Sequence, residues 1–143
     1  MAEPNEVEVR VGVSGYRADV TAKGHTLVID EPVSQGGTDA GPTPYDYIAA
    51  ALGACTAMTL RMYADRRGWP LEGVTVRLTH SRVHEKDCEK CESEQVGLDQ
   101  LSRSIELSGS LTEEQRAGLL RVADRCPVGQ TLTRGIRIVA TEP

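Results

Sequence analysis

Tyr47-Ile-Ala-Ala-Ala-Leu-Gly-Ala-Cys-Thr-Ala-Met-Thr-Leu60 is the stretch on which the fold turns. At helical spacing, apolar or small residues occupy nearly every face of it, the pattern of a helix buried on all sides. The run is shorter than the roughly 18–20 residues of a membrane span, so it reads as a core helix. Its start is marked upstream. Thr43 can cap it, Pro44 suits the first helical position, and Asp46 completes a capping box near the positive end of the dipole. The helix is expected to run to about Arg67, where Gly68 can take the left-handed position past the end and Pro70 bars continuation. In a chain of 143 residues, full burial of such a helix is easier if a second subunit supplies part of the cover.

Strands are expected on both sides. Val7, Val9, Val11 and Val13 alternate with Glu8, Arg10 and Gly12, a half-buried strand. Ser14-Gly15 is a turn signal, and Tyr16 to Ala22 and Thr26 to Ile29 read as two further strands about Lys23-Gly24-His25. Gln35-Gly-Gly-Thr-Asp-Ala-Gly-Pro42 has no periodicity and reads as a loop. After the helix, Val74, Val76 and Leu78 alternate with Thr75, Arg77 and Thr79 in a strand that extends toward Val83, and Leu101 to Leu107 returns. Thr112-Glu-Glu-Gln115 opens a second capped helix ending near Arg125, and Ile136, Ile138 and Ala140 suggest a closing strand. The order β-β-β, α, β-β, α, β, without repeat or linker, is α+β, with antiparallel sheets around one long helix in a single domain spanning residues 1–143.

A chain of this length can bury one real core. With 39% hydrophobic residues, 3% aromatics and no Phe, that core must be aliphatic. The net charge of −5 argues against a nucleic-acid partner, which needs a basic face. Met1-Ala-Glu-Pro-Asn-Glu6 is acidic and leads into no apolar h-region, so neither a signal peptide nor a membrane association is expected, and a cytoplasmic location is. Four cysteines in that compartment are reduced, catalytic or metal-bound rather than a disulfide framework.

The cysteines carry the chemistry. Cys55 amid alanines reads first as a small buried hydrophobe. Yet Ala51, Met58 and Met62 share its helical face, and Ala51 and Ala54 leave room for a compact apolar substrate beside the sulfur. Cys126 precedes Pro127, which suits the first position of a short helix. The thiol would then sit at a helix N-terminus, where a thiolate is stabilised; the inert reading stands beside the reactive one. His80, His84, Cys88 and Cys91 form H-x3-H-x3-C-x2-C, residue types that bind zinc. On one strand the two histidines would lie roughly 13 Å apart, too far to share an ion, so a surface dithiol or a plain hairpin tip is the better reading of that segment. No G-x-S-x-G or Walker A pattern is present, and His25 reads as a turn residue.

Gly41-Pro-Thr-Pro-Tyr-Asp-Tyr-Ile-Ala-Ala-Ala-Leu-Gly-Ala-Cys-Thr-Ala-Met58, followed by Cys126-Pro-Val, resembles the OsmC/Ohr family of organic hydroperoxide resistance proteins, and the likeness covers the chain from the Val7 strand to Ile138. Asp30-Glu-Pro32 through Gly37 and Leu60-Arg-Met-Tyr63 are similar to the OsmC-like branch. The resemblance implies an OsmC-like fold in an intertwined homodimer, with active sites at the subunit interface. It also implies a two-cysteine peroxidase acting on organic hydroperoxides. Cys55 would be the peroxidatic thiol and Cys126 the resolving thiol, with an external dithiol as reductant and no bound cofactor. An arginine would hold the thiolate and a carboxylate would orient it. Arg17 is the first candidate, beside Arg10 and Arg61. The family's glutamate position is Tyr45 here; Asp46 is one residue on, about 100° around the helix, where it serves either as clamp or as cap. The competing reading is a binding module that keeps the fold without turnover, with or without a zinc-holding or redox-sensing Cys88–Cys91 loop.

Overall fold

The computed structural model describes residues 5–84 and 97–143, and the chain gathers into two compact units, Met1–Ile48 and Ala49–Pro143. In the first, β1 (Val7–Val11), β2 (Ala18–Ala22) and β3 (His25–Ile29) form an antiparallel sheet in that order. The register opposes Val9 to Val20 and Val20 to Leu27, so these three share one face, while Val28, opposite Asp19, lies on the other. β2 starts later than the expected Tyr16, β3 starts earlier than the expected Thr26 and takes in His25, and the two join through Lys23-Gly24, both at positive φ.

The segment between β3 and the long helix is organised by one carboxylate. Asp30, almost fully buried, accepts hydrogen bonds from the Glu31 N–H, the Thr38 N–H and hydroxyl, and the Ala40 N–H. Gly37 fits against the Glu31 carbonyl, where a Cβ would come within 1.9 Å of the oxygen. The Thr38 hydroxyl, followed by the Ala40 N–H, holds the Asp30 carboxyl down from its ordinary 3.8 to about 2. Its stabilising contribution is therefore fully present above pH 3.8 and is lost as the pH falls from there toward 2. Asp30→Asn, which turns an amide donor onto these N–H groups, is expected to lower the melting temperature at neutral pH. The gap from wild type should close on acidification through that window, as thermal melts at stepped pH would show.

α1 (Pro44–Arg67) starts and ends where its caps require. The Thr43 N–H donates to the Asp46 carboxylate and the Asp46 N–H to the Thr43 hydroxyl; Gly68 leaves the helix at φ 66°.

In the second unit, β4 (Gly73–His84) and β5 (Gly97–Ser108) pair antiparallel without a break from Gly73–Ser108 to His84–Gly97. α2 (Glu113–Val122) carries the expected capping box, Thr112 with Gln115, and continues through a 3₁₀ turn, Ala123–Arg125, into α3 (Pro127–Arg134). The core joins Leu60 and Ala64 of α1 to Leu119, Val122 and Ala123, with Leu71 between helix and sheet. Gly53 lets α1 approach β4: a Cβ there would meet the Leu78 side chain at 2.7 Å.

Two expectations change. Within this unit α1 buries one stripe, Leu52, Gly53, Thr56, Leu60 and Ala64, whereas Met58 and Met62 stand more than half exposed. Among the described residues, none of the same unit closes over that second face. The closing strand over Ile136, Ile138 and Ala140 is absent: residues 135–143 pair with no described strand, and Ile138 is 93% exposed. The alternation is present there, but residues 135–143 bond to no edge of either described sheet. Among these residues no helix is long and apolar enough to cross a membrane.

Candidate functional site

Cys55 sits midway along α1, half-buried, and Cys126 is the N-cap of α3, 1% exposed; both thiols are free. Tertiary packing brings Cys55 to the turn that Cys126 opens, two residues before Val128. α1 presents Cys55 toward the start of α3, where the Val128 N–H points at its sulfur at 3.5 Å. The Gly129 N–H points at the Cys126 sulfur at 3.2 Å. These are unpaired first-turn donors of α3, and Pro127 at the first helical position has none to lose.

The two thiols are held differently. Burial pushes the Cys55 thiol up, and the adjacent Cys126 sulfur adds to the rise; the Val128 N–H and the Thr59 hydroxyl only partly oppose it. Burial acts the same way on Cys126. There it is outweighed by the Gly129 N–H, the Cys55 thiol, the Thr56 hydroxyl and the Arg103 charge, and the net direction is down.

Arg103 adds the smallest part of that lowering, and its place is fixed by other partners. Its guanidinium donates to the Thr56 hydroxyl at 3.0 Å and to the Asp124 carboxylate at 3.1 Å, and its side chain is only 20% exposed. Thr56 is fully buried on α1, one residue from Cys55, and donates its own proton to the Leu52 carbonyl at 2.8 Å. An arginine oriented by a carboxylate thus stands beside the thiol pair, but on β5 rather than on the front of the chain. Its sequence signal was present. In Leu101-Ser-Arg-Ser-Ile-Glu-Leu107 the arginine occupies a slot where alternation calls for an apolar residue, and a charge in an inward slot implies a buried partner.

Of the other candidates, Arg17, Arg10 and Asp46 belong to the first unit and Arg61 to the second. Arg17 lies in the first unit, exposed and paired with Asp19 at 3.1 Å. The Asp46 carboxylate is engaged in capping α1. Arg10 is exposed on β1, and Arg61 pairs with Asp65 at 2.6 Å and donates to the Leu71 carbonyl. His80 contacts Asp99 across the hairpin at 2.9 Å, while Cys88 and Cys91 lie outside the described residues. Among those residues no group of three or more His, Cys, Asp or Glu is arranged to hold a metal.

Two cavities are lined by chain neighbours of the cysteines, though by neither cysteine itself. One, about 310 Å³, is lined by Leu52, Arg103, Asp124 and Gly129 among others. A second, about 270 Å³, is lined by Thr59, Met62, Tyr63, Arg66, Val122, Arg125 and Pro127. Two free thiols at one turn, one of them half-exposed and with a charged residue nearby, can be oxidised by a small peroxide.

Residues 36–141 match the family described as OsmC-like protein. No curated protein matches. Among solved structures, an OsmC-like protein from Mycoplasma pneumoniae is 18% identical, with a TM-score of 0.73 over 93% of this chain and 89% of that one. The organic hydroperoxide resistance protein OsmC of Legionella pneumophila is 18% identical, with a TM-score of 0.66 over 91% and 89%. An organic hydroperoxide resistance protein from Elizabethkingia anophelis is 17% identical, with a TM-score of 0.67 over 94% and 91%. At these identities the likeness bears on the fold.

Proposed function

The chain belongs to the OsmC-like protein family, and on that premise we propose that it is a thiol-dependent peroxidase that reduces organic hydroperoxides to alcohols. The observation that carries this reading is the meeting of two free cysteines at one turn: the Val128 N–H, two residues past the fully buried Cys126, points at the sulfur of the half-buried Cys55. Cys55, the more accessible, attacks the hydroperoxide and becomes a sulfenic acid; Cys126 displaces water from it to form a disulfide. An external dithiol restores both thiols by exchange, which suits a reducing compartment such as the cytoplasm. The aliphatic lining contributed by Met62, Val122 and Pro127 favours an organic substrate over hydrogen peroxide. The chain acts as a single OsmC-like domain in a homodimer. A second copy is the natural cover for the exposed Met58 and Met62, which with Ala57 and Val74 border an apolar cavity of about 330 Å³.

The test is hydroperoxide consumption by purified reduced protein supplied with a dithiol. Cumene hydroperoxide should be consumed at least about 10-fold faster than hydrogen peroxide, the preference that one or two buried apolar groups provide. Folded, reduced protein that consumes neither with several different dithiols would leave the binding-module reading, which the raised Cys55 thiol favours.

A further inference from the structure

Arg17, Arg61, Arg77 and Arg103 each pair with a carboxylate. Arg67, Arg121 and Arg125 do not: among the described residues none of the three has a carboxylate partner. Yet all three line one cavity of about 600 Å³ in the second unit, together with Tyr63, Trp69 and Glu114. The chain as a whole is acidic, with a net charge of −5, so a basic hollow runs against its composition.

The cavity is built from neighbouring elements. The last turns of α1 supply Tyr63 and Arg67, four residues apart, and the Arg67 guanidinium lies over the Tyr63 ring, 5.0 Å from its centre. The segment after Gly68 supplies Trp69, whose ring meets that of Tyr63 edge to face with 5.5 Å between centres. α2 supplies Glu114 and Arg121, and the 3₁₀ turn after it supplies Arg125. Gly118 lets Trp69 approach α2, since a Cβ there would meet the indole ring at 3.1 Å. Two aromatic rings and three guanidinium groups thus share one concave surface.

Helix C-terminal ends favour a cation at each of these positions. They do not require three to converge on one hollow beside two aromatic rings. Against the three arginines stands the carboxylate of Glu114, which leaves two positive charges. Tyr63 and Arg67 lie about 140° and 180° around α1 from Met58, so the cavity uses a different face of the helix from the one assigned to a second copy. Neither cysteine lines it.

We propose that this cavity binds a phosphate monoester carried on a planar ring system, the chemistry of a nucleoside monophosphate. Such a phosphate bears about −1.5 to −2 charges at pH 7, which matches the charge left over. Guanidinium forks take phosphate oxygens two at a time, and the Tyr63 and Trp69 rings offer apolar surface to the planar part. The volume is that of a small-molecule site. The site stands apart from the thiols and does not depend on the peroxidase reading.

Trp69 is the only tryptophan of the chain, so tryptophan fluorescence reports on this cavity alone. The experiment titrates the full chain with adenosine 5′-monophosphate, exciting at the red edge where only tryptophan absorbs, with calorimetry in parallel. A saturable change in Trp69 emission is expected, with a Kd below about 1 mM, and binding should weaken as salt is raised. Ribose 5-phosphate, which lacks the ring, and adenosine, which lacks the phosphate, should each bind at least about 10-fold more weakly. Arg67→Gln and Arg121→Gln should each weaken the nucleotide by at least about 10-fold, the scale of a lost hydrogen bond to a charged group. Both side chains are exposed, so both variants should melt close to wild type. No saturable binding of adenosine monophosphate at millimolar concentration overturns the proposal. Binding that both arginine variants keep at wild-type strength also overturns it, because the ligand then sits elsewhere. Ribose 5-phosphate binding as tightly as the nucleotide overturns it too, because the rings then contribute nothing. None of these outcomes bears on hydroperoxide turnover.

Discussion

Cys55→Ser is expected to abolish dithiol-dependent hydroperoxide consumption, a loss of at least about 10³-fold, the scale on which removing a nucleophile acts. Oxygen and sulfur differ little in size here, so the Val128 N–H keeps an acceptor and the helix keeps its packing. The difference is chemical. A serine hydroxyl is not ionised near neutral pH, and an alkoxide attacks peroxide oxygen poorly, whereas a polarisable thiolate does so readily. The variant should therefore melt close to wild type while turnover with cumene hydroperoxide disappears. Cys126→Ser should behave differently: it can oxidise once and then stalls, because the sulfenic acid has no partner sulfur to displace it. Steady consumption by Cys55→Ser, from protein free of wild-type contamination, would remove Cys55 from the chemistry and the peroxidase reading with it.

The largest effect on stability is expected at Leu119. This side chain is fully buried on α2 and packs with Leu60, Ala64 and Leu71 in the cluster that joins helix to sheet. Leu119→Ala deletes apolar atoms and leaves a cavity whose walls belong to two helices and a sheet, which cannot all close on it. The expected cost is about 2–5 kcal/mol, a large share of the roughly 5–15 kcal/mol that holds a domain folded. Leu120→Ala, the next residue, is the internal control: Leu120 is 47% exposed and should cost well under half as much. Urea unfolding measured on both variants decides the matter. A lower midpoint with an unchanged slope for Leu119→Ala is the expected result, and equal midpoints for the two variants would show that the cluster does not bear the stability assigned to it.

Local chemistry was the most readable part of the sequence. Thr43 and Asp46 begin α1 and Gly68 ends it because capping and left-handed backbone are settled by residues a few positions apart. The hairpins were readable for the same reason, since alternation reports which face of a strand is apolar. Long-range choices were not. Ile136 and Ile138 carry the alternation of a strand, but pairing depends on an edge supplied from elsewhere. The apolar surround of α1 announces burial without saying which residues will cover Met58 and Met62. In the site, the cysteines were visible as residue types in suggestive places. The arginine that faces them was not chosen, although its inward slot between Leu101 and Ile105 marked it. The acidic partner, Asp124, carries no mark of its own, because its role exists only once β5 lies against the turn that holds it.

The unbroken pairing of β4 with β5 has a consequence for how this chain tolerates changes in length. Side chains on a strand alternate between faces, so Arg103 meets Thr56 only because its count from the paired residues is correct. Inserting one residue ahead of it, within the strand, would turn the guanidinium to the opposite face and put Ser102 in its place beside the thiols. Inserting two would return the correct face but carry the charge about 7 Å along the strand, beyond the reach of Thr56. The electrostatics of the sulfur pair are therefore written as a reading frame along β5, and gains or losses of residues within that strand interrupt the chemistry even where every residue named in the site is retained.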